Sequence, residues 1–131
     1  MTYLVDTDYI ADYLKGYQAA TTVLEKLVAD GIGFSIITFA EVYEGIYYGH
    51  NRSQHEQGFR RFLTTTPLFP ITRSIARQFA IIRGDLRAKG LLIPDPDLYI
   101  AATAIQHNLT LVTRNLKDYD RIPNLDIYKA S

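Results

Sequence analysis

"DPDLYIAATAIQ" (95–106), followed by "LTLVT" (109–113) and "RNLKDYD" (114–120), is the stretch whose reading decides the fold. In the first piece Leu98, Ala101, Ala102 and Ile105 recur at offsets of three, four and seven, the spacing of one helical face. Asp95 is placed as its N-cap and Pro96 at the first helical position. Small alanines on that face imply a helix lying close against a sheet. The second piece is a short aliphatic and β-branched run suited to a strand. The third opens another capped turn of helix, so helix, strand and helix follow one another within 26 residues.

Outward from there the same alternation continues. "YLVDTDYI" (3–10) places a strand over Tyr3 to Val5 before a helix over about 8–14, and a second helix covers 19–30. Gly31 and Gly33 break the chain, Phe34 to Ile37 reads as the next strand, and Phe39, Val42, Tyr43 and Ile46 make one stripe of the helix after it. A polar helix over 53–63 leads to "LFPI" (68–71), a short strand that Pro70 assigns to a sheet edge. Residues 74–89 put Ile75, Phe79, Ile82 and Leu86 on one face and stop at Gly90, and 125–128 reads as a last strand. Strands separated by helices predict an α/β sandwich with a mostly parallel sheet, in a single domain over 1–131. Neither an internal repeat nor a low-complexity linker interrupts it.

Composition narrows the chemistry. At 47% hydrophobic and 21% charged, 131 residues suffice for one buried core. The formal net charge is zero, so any nucleic-acid binding rests on local patches and not on a global field. The absence of cysteine excludes a disulfide framework, a thiolate zinc site and a thiol nucleophile. Neither a targeting peptide nor an apolar run of membrane-spanning length is indicated, so a cytoplasmic protein without membrane association is expected.

Ligands of parallel α/β sheets bind beyond the carboxyl ends of the strands. Asp6 closes the first strand, Glu41 is placed in the first turn of the helix after the second, Asp97 in the first turn of the alanine-rich helix, and Asp118 in the first turn after "LVT". Each acid also has a purely structural use. Thr38 and Glu41 form a capping-box pattern, Asn115 and Asp118 nearly repeat it, and carboxylates in a first turn interact favourably with the helix dipole. Together they say more, because crowded carboxylates either take up protons or bind a cation. An all-oxygen set suits Mg²⁺ or Mn²⁺, and phosphodiester hydrolysis is the natural chemistry of such a site.

"YLVDTDYI", "ITFAEVYEGI", "IPDPDLYIAATA" and "LVTRNLKDYDRIPNL", in this order and at this spacing, closely resemble the PIN-domain ribonucleases, and within them the VapC toxins of toxin–antitoxin pairs. The resemblance covers essentially the whole chain. It implies a three-layer α/β/α sandwich and Mg²⁺- or Mn²⁺-dependent endonucleolytic cleavage of RNA. It implies that Asp6, Glu41, Asp97 and Asp118 are the four catalytic, metal-binding acids, with Asp6 and Asp97 the principal ligands. Thr113 and Asn115 match positions that support the acids or contact the scissile phosphate, with Arg114 between them. A VapB-like antitoxin, whose C-terminal segment lies in a groove of the early helices, and a homodimer are implied as well. Two positions depart from the family pattern. Asp8 stands where relatives often have asparagine or serine; its extra charge either adds a ligand or caps the helix that follows, and the cap is favoured. Pro94-Asp95-Pro96 offers two aspartates, of which spacing to "IAATA" selects Asp97.

Other features weigh less. Arg73, Arg77, Arg83, Arg87 and Lys89 give one helix a basic side, read as a solvated face. The histidines have no ligand spacing. The ten tyrosines include Tyr9, Tyr13, Tyr43, Tyr47 and Tyr48 on early helices, where rings of this kind serve interfaces or core. Two alternative functions stand beside the nuclease. "VDTD" after a strand also resembles the Asp-x-Asp motif of haloacid-dehalogenase-type phosphatases, with Asp6 as nucleophile and Asp8 as acid/base. A PIN-like module that binds RNA or a partner without cleaving it is the other.

Overall fold

The computed structural model describes residues 1–130. In chain order its elements are β1 (Tyr3–Val5), α1 (Thr7–Leu14), α2 (Gln18–Leu27), β2 (Ile32–Ser35), α3 (Ile36–Tyr47), α4 (Arg52–Thr65), β3 (Leu68–Phe69), α5 (Arg73–Ala88), α6 (Asp95–Gln106), β4 (Thr110–Val112) and α7 (Leu116–Tyr119). The strands form one sheet in the order β3-β2-β1-β4, and every pair is parallel. Leu4 faces Gly33 on one side and Leu111 on the other, so β1 is central. Short β3 is an edge strand, as Pro70 requires.

Alternation along the strands divides the core into two layers. Leu4 and Leu111 point into a cluster with Ile75, Leu86, Leu98 and Tyr119, beneath α5, α6 and α7. Val5 and Val112 point the other way, towards Ile10, Leu24, Phe34 and Phe59, beneath α1 to α4. The result is a three-layer α/β/α sandwich with the sheet covered on both faces. No helix among the described residues is long and apolar enough to cross a membrane.

Five local readings are corrected. The second strand lies two residues earlier than 34–37, because the Ser35 hydroxyl accepts the Ile37 N–H at 3.0 Å and starts α3 at Ile36. Thr38 is therefore a buried residue inside the helix instead of a cap, and Glu41 lies in the second turn. Asp6, not Asp8, is the N-cap of α1, its Oδ1 accepting the Thr7 N–H at 2.8 Å. In α6 the cap is Pro94; Asp95 is the first helical residue and its carboxylate turns to Arg83, 3.0 Å away. Residues 125–128 make only a single parallel bridge, Ile127 to Leu111, before the Tyr128 ring turns edge-on against Tyr3.

Two glycines are dictated by close approach. Gly31 ends the turn after α2 at φ 92°, a conformation that favours glycine, with the Met1 backbone 2.9 Å from where a Cβ would stand. At Gly33 in β2 a Cβ would meet the Phe69 ring at 2.7 Å.

Candidate active site

The carboxyl ends of β1 and β4 lie side by side, and each delivers a buried polar residue as its strand stops. Asp6, 5% exposed, accepts hydrogen bonds at both oxygens: from the Thr7 N–H at Oδ1 and from the Thr113 hydroxyl at Oδ2, 2.7 Å. The same Thr113 oxygen accepts the Asn115 N–H at 3.0 Å. One hydroxyl thus ties the loop after β4 to the aspartate that ends β1.

Asn115 continues the network sideways. Its Nδ2 lies 3.2 Å from Asp118 Oδ2 and 3.5 Å from Asp97 Oδ2, so it spans two carboxylates from two different helices. Asn115 is the N-cap residue of α7 by position, but its side chain serves the acids and not the helix. Glu41 reaches the group from α3. It is exposed, and its Oε1 accepts from the Thr7 hydroxyl at 2.6 Å, which is also bonded to the Thr38 hydroxyl at 3.1 Å.

Asp6, Asp97 and Asp118 are therefore gathered around Thr113 and Asn115, with Glu41 beside them through Thr7. Arg114 is turned aside. Its guanidinium pairs with Asp12, lies 3.9 Å from Asp8 and sits 5.5 Å above the Tyr9 ring. Asp8 is a splint between elements, one oxygen accepting the Tyr9 N–H at 2.7 Å and the other the Arg114 N–H at 2.9 Å. Sequence reasoning passed over Thr7 and Asp12 and favoured a cap for Asp8; the signal available for Asp8 and Asp12 was their one-turn spacing on α1, which presents both to Arg114. Beside Glu41 a cavity of about 130 Å³ opens between α1, α3 and α4, lined by Thr7, Ala11, Leu14, Val42 and Ile46 among others.

Residues 3–125 match the PIN domain. The chain belongs to the PIN-domain family. Among its relatives, ribonuclease VapC2 of Rickettsia felis is 32% identical over 127 residues, covering 95% of each chain. Ribonuclease VapC1 of Methanocaldococcus jannaschii is 37% identical over 119 residues, 91% of this chain and 79% of that one. The solved structure of VapBC2 from Rickettsia felis bound to a DNA fragment from their promoter superposes with a TM-score of 0.90 at 30% identity, covering all of both chains. Membership sets the phosphatase reading aside.

Charge in this PIN domain is concentrated and poorly offset. Burial, then the negative charge of Asp8, pushes the Asp6 carboxyl up to about 7 from an ordinary 3.8, against the hydrogen bonds from Thr113 and Thr7. Asp97 is raised too, by burial and then by Glu41 and Asp118. Among the described residues, no three acid or imidazole side chains come close enough together to enclose a metal ion unaided. The donor set is nonetheless all oxygen, and the electrostatic strain at Asp6 and Asp97 is the kind that a cation relieves.

Proposed function

We propose that this PIN domain is a Mg²⁺- or Mn²⁺-dependent endoribonuclease and the toxin of a type II toxin–antitoxin pair. One observation carries the reading: Asp6, Glu41, Asp97 and Asp118, far apart in sequence, share one edge of a parallel sheet, with Asp6 buried there at raised pKa. Relatives named ribonuclease VapC support the activity, and the VapBC complex supports the pairing.

Asp6 and Asp97 would hold the cation, with Asp118 and Glu41 at its margin. When bound, the cation offsets phosphate charge and lowers the pKa of a water molecule.

The remaining work belongs to side chains. Thr113 keeps Asp6 Oδ2 in one orientation, and Asn115 Nδ2 keeps Asp97 and Asp118 at a fixed separation. Glu41, exposed and anchored by Thr7 through Oε1, keeps Oε2 for the proton of an attacking water. Arg114 reaches an RNA phosphate only after leaving Asp12. The cavity beside Glu41, mostly apolar and adjoining the acids, fits a segment of a VapB-like antitoxin that blocks the site as it binds. The working protein is assigned as a cytoplasmic homodimer on the same family grounds.

Purified protein is tested against structured and single-stranded RNAs with Mg²⁺, with Mn²⁺ and with EDTA, beside Asp97→Asn. Cleavage that needs the cation and disappears in the variant is the expected result. Well-folded protein that cuts no RNA with either metal would overturn the nuclease reading, and an upstream antitoxin-like reading frame whose product fails to block cleavage would overturn the pairing.

A further inference from the structure

Residue 114 is held at two points by a single helix. Its backbone N–H donates to Asp8 Oδ2 at 2.9 Å, and its guanidinium pairs with Asp12 while lying over the Tyr9 ring. Asp8 and Asp12 stand one turn apart on α1, whose N-cap is Asp6. An exposed ion pair is ordinarily worth little. This one differs in burial and in place. The Asp12 side chain is 17% exposed, the least of any carboxylate paired with an arginine among the described residues.

The neighbours of Arg114 in sequence show what the anchorage does. Thr113, just before it, donates to Asp6, and Asn115, just after it, reaches Asp118 and Asp97. All three residues lie between the end of β4 and the start of α7, where neither a strand ladder nor a helix fixes the backbone. Every hydrogen bond and ion pair that Arg114 makes outside this loop and α7 goes to α1. The charges keep it there. Arg114 Nε is 3.9 Å from Asp8, so withdrawing the guanidinium would leave Asp8 and Asp12 as like charges at one-turn spacing, an unfavourable pair.

Resting on the cation-dependent reading above, we infer that Asp12 is a positioning residue for the acid cleft. It acts through Arg114: with Asp8 it clamps the loop after β4 to α1, so that Thr113 and Asn115 meet Asp6, Asp97 and Asp118 in the arrangement that receives the cation.

The test measures Mn²⁺ binding without RNA, by electron paramagnetic resonance, in the natural protein, Asp12→Ala, Arg114→Ala, the double variant and Asp12→Glu. Partners of metal-ligating groups typically change affinity by about 10- to 100-fold, and a clamp one residue further out belongs at the low end, so each alanine variant is expected to bind Mn²⁺ about tenfold more weakly. The double variant should lose no more than either single one, because both remove the same clamp. Asp12→Glu should keep most of the affinity. Coulomb attraction alone predicts opposite signs, loss of Asp12 weakening cation binding and loss of Arg114 strengthening it. That result, or unchanged affinity in both alanine variants, overturns this inference alone. In RNA cleavage below saturating Mn²⁺, kcat should fall in both variants while KM for RNA holds. A raised KM with a flatter salt dependence in Arg114→Ala, beside a lowered KM in Asp12→Ala, would make Arg114 a phosphate ligand that Asp12 restrains, and overturns it too. Natural protein that binds no Mn²⁺ overturns the cation-dependent reading together with it. Asp12→Asn replaces Asp12→Ala if the latter is unfolded at the assay temperature.

Discussion

Asp6 is where burial and charge oppose each other most strongly. Its carboxyl titrates near 7 when folded and near 3.8 otherwise, so between those values the folded protein binds more protons than the unfolded chain. Stability of the metal-free protein therefore falls as pH rises through that window. Asp97 is shifted the same way and adds to the slope, while Asp8 faces Asp6 and is itself faced by Arg114. In EDTA the melting temperature is expected to be higher at pH 5 than at pH 8, and Asp6→Asn should flatten the profile and stabilise the protein at pH 8 while abolishing Mn²⁺ binding. A natural protein whose melting is indifferent to pH across this range would contradict the assignment. Thr113 makes a separate prediction. Thr113→Val leaves the Asn115 N–H and Asp6 Oδ2 without their shared partner and should cost roughly 1–3 kcal/mol in urea unfolding, with Thr113→Ser restoring most of it. Asp6 and Asp97 are legible in sequence because an acid that ends an apolar strand or opens an apolar helix breaks its pattern.

Among the elements, α3 is the instructive one. Its apolar stripe is readable, but its start is not, because Ile36 and Ile37 have strand-like side chains and yet follow the Ser35 cap as the first helical residues. Tertiary packing outweighs intrinsic preference at such a boundary. Ser35→Ala should cost about 1 kcal/mol of stability, the usual loss of an N-cap, measurable by urea denaturation. Were Thr38 the cap, as its spacing to Glu41 suggests, Ser35→Ala would be nearly silent. The shift matters for chemistry, since it moves Glu41 one turn along α3 to where Thr7 can hold it. The expected final strand failed for a related reason: hydrogen bonding to Leu111 alone does not make a ladder.

For the whole molecule, the parallel α/β class was legible from alternation of strand and helix, whereas strand order was not, because nothing local says that β4 pairs with β1. At pH 8 added Mn²⁺ should raise the melting temperature with concentration, as any ligand of the native state does, and should fail to do so in Asp97→Asn. A rise of equal size in the variant would place the ion elsewhere. The pairing of β1 with β4 also governs timing. Thr113 reaches Asp6 across 107 positions of chain, and Asp97 and Asp118 also come from the later part. At synthesis rates of roughly 5–20 residues per second, Asp6 leaves the ribosome about 5–20 s before the threonine that orients it. A nascent or prematurely released chain carries Asp6 and Glu41 but no assembled acid cleft, so the translation machinery finishes the molecule before the molecule can act on RNA.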